Sequence, residues 1–204
     1  RGNINFSFIR NKNQDLVNFK EHIIPISAAL EKLGISNIIS PRNDIFVNDH
    51  KVSGNAEHVN SKLGRILHHG TLLYDSDLIR LNGSIRPQKK YEIKTHAVNS
   101  VRSPVINMRV VSDHGETRLF LNSLINQLQT ILVVDQIEYI DPIVIPDVST
   151  LIAEKYETWD WNFGHTPQFE FTDDNGNLFR IRKGRVLESE DTSLIGKTFE
   201  SLLL

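Results

Sequence analysis

The order of periodic segments limits the fold most. Strand-like and helix-like stretches follow one another without a regular β-α alternation. Residues 4–9 (Ile-Asn-Phe-Ser-Phe-Ile) alternate apolar and polar side chains, the pattern of a half-buried strand, and a polar loop follows at 10–14. Over 15–33 the spacing switches: Leu16, Phe19, Ile23, Ile26, Leu30 and Leu33 recur with helical period, and Gly34 supplies a stop signal. Pro25 lies inside that pattern and is expected to kink the helix or open a new first turn. Residues 44–47, the turn pair Asn48-Asp49 and residues 50–56 read as a hairpin, and 64–74 as a buried strand. Such a texture predicts an α+β layer of mixed or antiparallel sheets with packed helices.

Further along, 75–81 reads as a short helix capped by Asp75 or Ser76. Residues 83–104 carry Gly83, Pro87 and Pro104 without a clear period and are expected to form a long loop. Asp113 precedes a helix with Leu121, Leu124, Ile125 and Leu128 on one face; 136–140 reads as a strand and 147–157 as a helix. After a junction at 159–167, whose Trp159 and Trp161 are expected to anchor two pieces together, the texture changes to a small antiparallel meander. Its arms are 168–171, 178–182 and 185–188, with a turn at 173–177. A main domain over 1–158 and a smaller α+β piece over 159–204 are therefore expected.

Composition removes several classes of function. With 23 Lys+Arg against 25 Asp+Glu, the net charge of -2 carries no basic footprint for nucleic acid. No apolar run approaches the roughly 18 residues of a membrane span. Cysteine is absent, which excludes disulfide frameworks, thiolate metal sites and thiol nucleophiles. The chain opens on Arg1 and its single methionine is Met108, so it is expected to be a processed form or a piece of something longer.

Three stretches look unlike ordinary core. In Pro41-Arg42-Asn43-Asp44 polar residues lead straight into an apolar strand. In Lys51-Val52-Ser53-Gly54-Asn55-Ala56 a lysine stands beside small residues, and a glycine within a strand marks a bulge or a close approach. His68-His69-Gly70-Thr71 is polar and small where packing alone favours Val or Ile. Plain alternatives stand beside each. Lys51 next to a turn is also what a solvated edge charge looks like, and His69 also fits a buried, hydrogen-bonded histidine. Adjacent histidines on a strand face opposite ways and cannot share one metal, so no metal site is expected. The carboxylates Asp173 and Asp174 fall in a turn and read as solvated. From the residues alone, the chain offers a strand-built pocket for an anionic small molecule, served by one lysine.

These stretches, in this order, resemble the lipoate–protein ligase A and lipoyltransferase family. The matching text is Gly2-Asn3, Arg42-Asn43-Asp44, Lys51 to Ala56, His68 to Leu73, Ser100-Val101-Arg102-Ser103 with Val105 and Asn107, and Trp159 to Gly164 with Thr166-Pro167. The resemblance implies the mixed-sheet fold shared with biotin ligases, plus a small C-terminal α+β domain. It implies a monomeric enzyme that joins lipoate to ATP, with Mg2+, as lipoyl-AMP. The lipoyl group then passes to a lysine of a lipoyl-domain acceptor, a 2-oxoacid dehydrogenase E2 subunit or glycine-cleavage H protein.

By the same resemblance Lys51 is the catalytic lysine. Asn3 is a cofactor-binding residue, Asn43 and Asp44 fall at the adenylate end, and Ser53, Gly54 and Ala56 let backbone approach it. His69, Gly70 and Thr71 line the lipoyl tunnel, and Lys94 and Arg102 are phosphate partners on a closing loop. Family members also carry an Arg-Arg-x-Ser-Gly-Gly-Gly-x-Val-x-His segment just before the Gly-Asn, which this chain lacks, and the C-terminal domain ends early. Alternatives are a lipoyltransferase that uses only preformed lipoyl-AMP, an octanoyl transferase of the same fold, and a non-catalytic module that docks lipoyl domains. A bacterial cytoplasm or a mitochondrial matrix is the expected setting.

Overall fold

The computed structural model describes residues 2–11, 18–84, 92–96, 103–141 and 144–203. It divides into two compact units, one from Arg1–Arg86 with Val101–Ile137, the other from Pro87–Ser100 with Glu138–Leu204. The division thus falls at 137/138 rather than at the expected 158/159, and a segment from before the boundary joins the smaller unit.

The first unit contains β1 (Asn3–Asn11), α1 (Phe19–Lys32), β2 (Ile38–Ile39), β3 (Ile45–Val47), β4 (His50–Ser53), β5 (Asn55–Asn60), β6 (Arg65–Leu73), α2 (Leu78–Ser84) and α3 (Thr117–Leu132). Two antiparallel sheets form, in the orders β1-β6-β5 and β2-β3-β4. On β6 the alternation buries Ile66, His68, Gly70 and Leu72 on one face and turns Leu67, His69, Thr71 and Leu73 to the other. The buried face joins Ile23, Ile26, Ala29 and Leu30 of α1 and Phe120 and Leu124 of α3 in the core. Helix α1 runs unbroken through Pro25, with Ile23 and Ile26 on either side buried in the core.

The hairpin turns at Asn48-Asp49, where both residues adopt positive φ (48° and 60°), the geometry of a two-residue connection. Residues 50–56 are not one strand, however. β4 ends at Ser53 in one sheet and β5 begins at Asn55 in the other, so the chain changes sheet at Gly54. Just before this, Ile45 faces Ser53 while Phe46 faces Lys51, which leaves Val52 as the extra residue of a bulge.

Helix α2 starts three residues later than expected. Asp75 is committed to Arg109 at 2.5 Å, and Asn107 clamps both the Ser76 N–H (2.9 Å) and its carbonyl (2.8 Å). Asp77 instead accepts from the Arg80 N–H at 2.9 Å. Residues 136–140 carry a strand's composition but join no ladder.

The second unit contains β7 (Glu92–Thr95), α4 (Pro146–Leu151) running into a π-helical turn (Ile152–Tyr156), α5 (Trp159–Asn162), β8 (Phe169–Thr172), β9 (Leu178–Arg182) and β10 (Arg185–Glu188). Its antiparallel sheet has the order β10-β9-β8-β7. Part of the expected loop is therefore an edge strand paired to β8; residues 85–91 and 97–102 lie outside the described residues. The meander forms as expected, and Asp173 organises its turn by accepting from the Asn175 and Asn177 N–H groups at 2.9 and 2.8 Å. Those bonds, with the Asn177 amide foremost, hold its carboxyl below the usual aspartate range. Among the described residues, Trp159 and Trp161 pack within this unit. Trp159 donates to the Lys183 carbonyl at 3.1 Å and stacks with Arg185, while Trp161 meets Tyr156 and Lys155.

Tyr74 ties α3 to the end of β6. Its ring stacks on Phe120 with centroids 4.0 Å apart, and its hydroxyl donates to the Gly115 carbonyl and accepts from the His114 N–H, each at 2.9 Å. Tyr74→Phe keeps the stack and strands two backbone groups. It is expected to lower stability by about 1–3 kcal/mol, read as a shift of the urea midpoint with an unchanged slope.

Candidate active site

Lys51 occupies β4 immediately before the bulge at Val52. Its backbone N–H donates to the Pro104 carbonyl at 2.8 Å, and the strand bridges in parallel to Val105. The side chain is 30% exposed, and its ammonium lies 2.9 Å from Oδ1 of Asp44, which is 14% exposed. Asp44 follows a tight turn in which Asn43 takes a left-handed conformation (φ 63°). Gly54 makes room for this pair. A Cβ placed there would stand 3.2 Å from Lys51 Cε and 3.3 Å from Nζ. The glycine is required by the approach of the lysine rather than by its backbone angles.

A cavity of about 450 Å³ opens beside the pair. Asn3, Lys51, Ser53, Thr71 and Ser76 give its wall polar groups, and Val52, Leu73, Leu81 and Val105 give it apolar ones, with Gly54 between them. An apolar cavity with a few convergent polar groups suits a small molecule that has an aliphatic body and a charged end.

Of the residues expected at a site, Lys51, Asn3, Ser53, Gly54 and Thr71 line this cavity, and Asp44 and Asn43 adjoin it through Lys51. Ala56 and His69 face each other across β5 and β6 on the sheet side that carries Thr71. Both are exposed and outside the cavity wall. The buried histidine of the pair is His68, not His69. Gly70 points to the buried side, where its missing side chain admits Asn55 and Phe6. Lys94 lies on β7 in the second unit, exposed and 4.0 Å from Glu92. Arg102 lies outside the described residues.

His68 belongs to a cluster that the sequence did not reveal. Glu57, whose side chain is fully buried, receives Nδ1 of His22 and Nδ1 of His68 at 3.0 Å on one oxygen, and the Asn18 N–H at 2.7 Å on the other. The two imidazoles stack with centroids 4.9 Å apart, and Phe6, Phe8 and Phe19 surround them. Burial pushes His68 below the ordinary histidine range, partly countered by its bond to Glu57. Among the described residues this is the one group of metal-ligand types gathered closely enough to hold an ion. Its separations are nevertheless those of hydrogen bonds, well beyond the ~2.0–2.2 Å of metal ligation, and the carboxylate already accepts three donors. The cluster reads as a buried hydrogen-bonded tie from α1 to the sheet.

Residues 1–129 match the family profile of the lipoyl protein ligase A/B catalytic domain. The chain belongs to this family. The lipoate-protein ligase LplJ of Bacillus subtilis (strain 168) is 33% identical over 211 residues, which cover 97% of this chain and 61% of that protein. The chain thus spans about three-fifths of that curated relative's length. A solved lipoate-protein ligase A bound with ATP superposes with TM-score 0.58 at 23% identity, covering 81% of this chain and 66% of that one. A bipartite lipoate protein ligase of Thermoplasma acidophilum, solved in a study that includes its E2 lipoyl domain, superposes with TM-score 0.57 at 21% identity. It covers 81% of this chain and 65% of that one. These likenesses show a shared lipoate-ligase fold, as the α+β reading expected.

Several wall residues of this lipoyl ligase family member carry no site role in the sequence reading. Leu73 and Val105 belong to the matching text without a role, and Leu81 looks like an ordinary leucine. Ser76 was legible only as a helix cap, yet it lines the cavity, and its buried Oγ has no partner among the described residues.

Gly54→Ala is expected to change stability by less than about 1 kcal/mol, because a lysine side chain can give way. The displaced ammonium should nevertheless weaken binding of an acyl-adenylate analogue about 10-fold, measured by calorimetry. The folded His68 sits below its unfolded value near 6.5, so the unfolded chain binds more protons between the two values. The stability linked to it is present above about pH 6.5 and lost as pH falls through the lowered folded value. Urea unfolding between pH 7.5 and 5 should show that loss, and His68→Gln should flatten it.

Proposed function

We propose that this chain carries the active site of a lipoate–protein ligase. In this reading it activates lipoate with ATP and transfers the lipoyl group to a lysine of a lipoyl-domain protein. The observation that carries the reading is the Lys51–Asp44 pair, placed at the wall of a largely apolar cavity in a chain of this family.

The chemistry follows from charge. A carboxylate oxygen of lipoate attacks the α-phosphorus of ATP, the new P–O bond forms, and pyrophosphate leaves. Negative charge gathers between two anions that repel each other. The Lys51 ammonium, kept half-buried and aimed by Asp44, is placed to offset it. In the second step the acceptor's neutral amine attacks the acyl carbon, the amide forms, AMP leaves and a proton is lost from nitrogen. The same ammonium then faces the departing phosphate. Val52, Leu73, Leu81 and Val105 would pack the lipoyl chain, and Asn3, Ser53, Thr71 and Ser76 would bond the polar end.

Mg2+ binds through one or two carboxylates together with phosphate oxygens, and Asp44 is a carboxylate of the required type beside the cavity. When bound it would draw charge from the phosphates. Asp44, which Lys51 already contacts at Oδ1, would be the residue to hold the ion.

The solved relative studied with its E2 lipoyl domain supports an acceptor of that kind, and the Bacillus relative supports a bacterial setting, of which the cytoplasm is the proposed compartment. Lys94 and Arg102 remain proposed phosphate partners, and the second unit a proposed accessory domain. A transferase limited to preformed lipoyl-AMP would use the same lysine. A docking module would not need an ammonium held at a cavity wall.

Lys51→Ala is expected to lower lipoylation of an acceptor domain by roughly 100- to 1,000-fold, the cost of removing a group that meets developing charge. The melting profile should be close to that of the parent. Gel-shift or mass detection of the lipoylated acceptor measures it, and a parental rate in the variant would remove Lys51 from the chemistry.

A further inference from the structure

We propose that Asn55 is a positioning residue for this site: its carboxamide holds the Asn43 turn and thereby sets Asp44 against Lys51. The inference rests on the proposed ligase reading only where it concerns turnover; the positioning itself is a property of the free protein.

The Asn55 Nδ2 group donates to the Asn43 carbonyl at 2.8 Å and to Ser53 Oγ at 3.2 Å. Asn43 stands at φ 63°, a left-handed conformation that most L-residues avoid and asparagine adopts more readily than the rest. Its carbonyl belongs to the peptide plane that also carries the Asp44 N–H, so fixing that oxygen fixes the plane from which the Asp44 side chain departs. On the other side of the turn, Ser40 closes the loop. Its Oγ accepts from the Asp44 N–H at 3.2 Å, and its N–H donates to the Asp44 carbonyl at 2.8 Å. Asn55 is the tie that reaches this turn from the other sheet, since β5 pairs with β6 whereas Asp44 leads into β3.

Behind Asn55 lies the histidine cluster. The donor end of Asn55 must face the Asn43 carbonyl, so its Oδ1 lies 3.4 Å from His68 Nε2. His68 gives its one N–H to Glu57, so this is a packing contact and not a hydrogen bond. Gly70, directly across the strand pair, leaves the space: a Cβ there would lie 2.2 Å from Asn55 Oδ1. Gly70 thus serves the site from the buried face by admitting the carboxamide that holds the turn.

The test compares Asn55→Asp with Asn55→Ala in this chain. If Asn55 only fills space, the isosteric aspartate should be harmless and alanine the worse change. If it positions the turn, aspartate loses the donor and sets oxygen against the Asn43 carbonyl, so it should be at least as harmful as alanine. One readout is ligand-free: backbone amide relaxation of Asn43 and Asp44 by NMR, which should show loosening in both variants. The other is pyrophosphate release, whose kcat should fall about 10- to 100-fold with KM for ATP changed far less. Gly70→Ala, which displaces Asn55 without altering it, should reproduce the loosening. Should Asn55→Asp not fold, Asn55→Ala and Gly70→Ala decide the matter by the same relaxation measurement. Parental relaxation at Asn43 and Asp44 in the folded variants overturns the positioning role. Loosening in variants that release pyrophosphate at the parental kcat upholds the holding of the turn and overturns its bearing on turnover.

Discussion

The change of sheet at Gly54 is the constraint on which the first unit depends. Four residues earlier the strand is paired to β3; one residue later it is paired to β6. At this step the chain bulges at Val52, and the missing side chain at residue 54 leaves room for Lys51. The consequences are local and chemical. Lys51 is left at the last position before the bulge, with its ammonium folded back over Gly54 onto Asp44. Ser53 and Thr71 are brought to a shared cavity wall, and the Gly54 carbonyl accepts from the Thr71 N–H at 3.1 Å, which joins the two sheets. A strand that stayed in one sheet would alternate these side chains to opposite faces and build no wall.

The second condition is a buried charge. An isolated carboxylate at the depth of Glu57 would be strongly disfavoured, and it is tolerable because three donors reach it from two directions. Two come from the start of α1, the Asn18 N–H and the His22 ring, and one from His68 on β6. The arrangement therefore fixes where α1 sits on the sheet more sharply than apolar contacts alone, which tolerate sliding. It also sets which side of β6 faces inward, and with it which side carries Thr71 to the cavity.

What was legible in the sequence follows the range of the forces involved. The hairpin at Asn48-Asp49 and the meander with its Asp173 turn are local, and both were readable from turn chemistry and period. The small residues around Lys51 marked a close approach correctly, because a missing side chain leaves a gap in the pattern wherever the partner lies. The strand break at Gly54 was not readable, since the residues on either side carry the same texture and only the identity of the distant partner differs. The same reason hid β7, whose partner β8 lies more than seventy residues later, and made 136–140 resemble a strand that has no ladder. Alternation showed that His68 and His69 face opposite ways. Choosing the buried one required Glu57 and the start of α1, which no local pattern reveals.

Stability alone gives a poor account of the Lys51–Asp44 pair. Exposed ion pairs contribute roughly 0–1 kcal/mol, and partial burial subtracts desolvation from that gain. A chain selected only to fold could place an apolar side chain at this half-buried position beside Val52 and Val105 at no loss. It could also use alanine at residue 54, where the backbone does not need glycine. Instead a glycine, a left-handed asparagine, a bulge and a cross-sheet carboxamide combine to hold one ammonium and one carboxylate at a cavity wall. Groups arranged at such structural cost, with so little stabilisation in return, make physical sense when a third charged partner completes the site. The proposed acyl phosphate of a lipoyl-adenylate is such a partner: its anion would meet the ammonium, and its aliphatic chain would meet the apolar remainder of the wall.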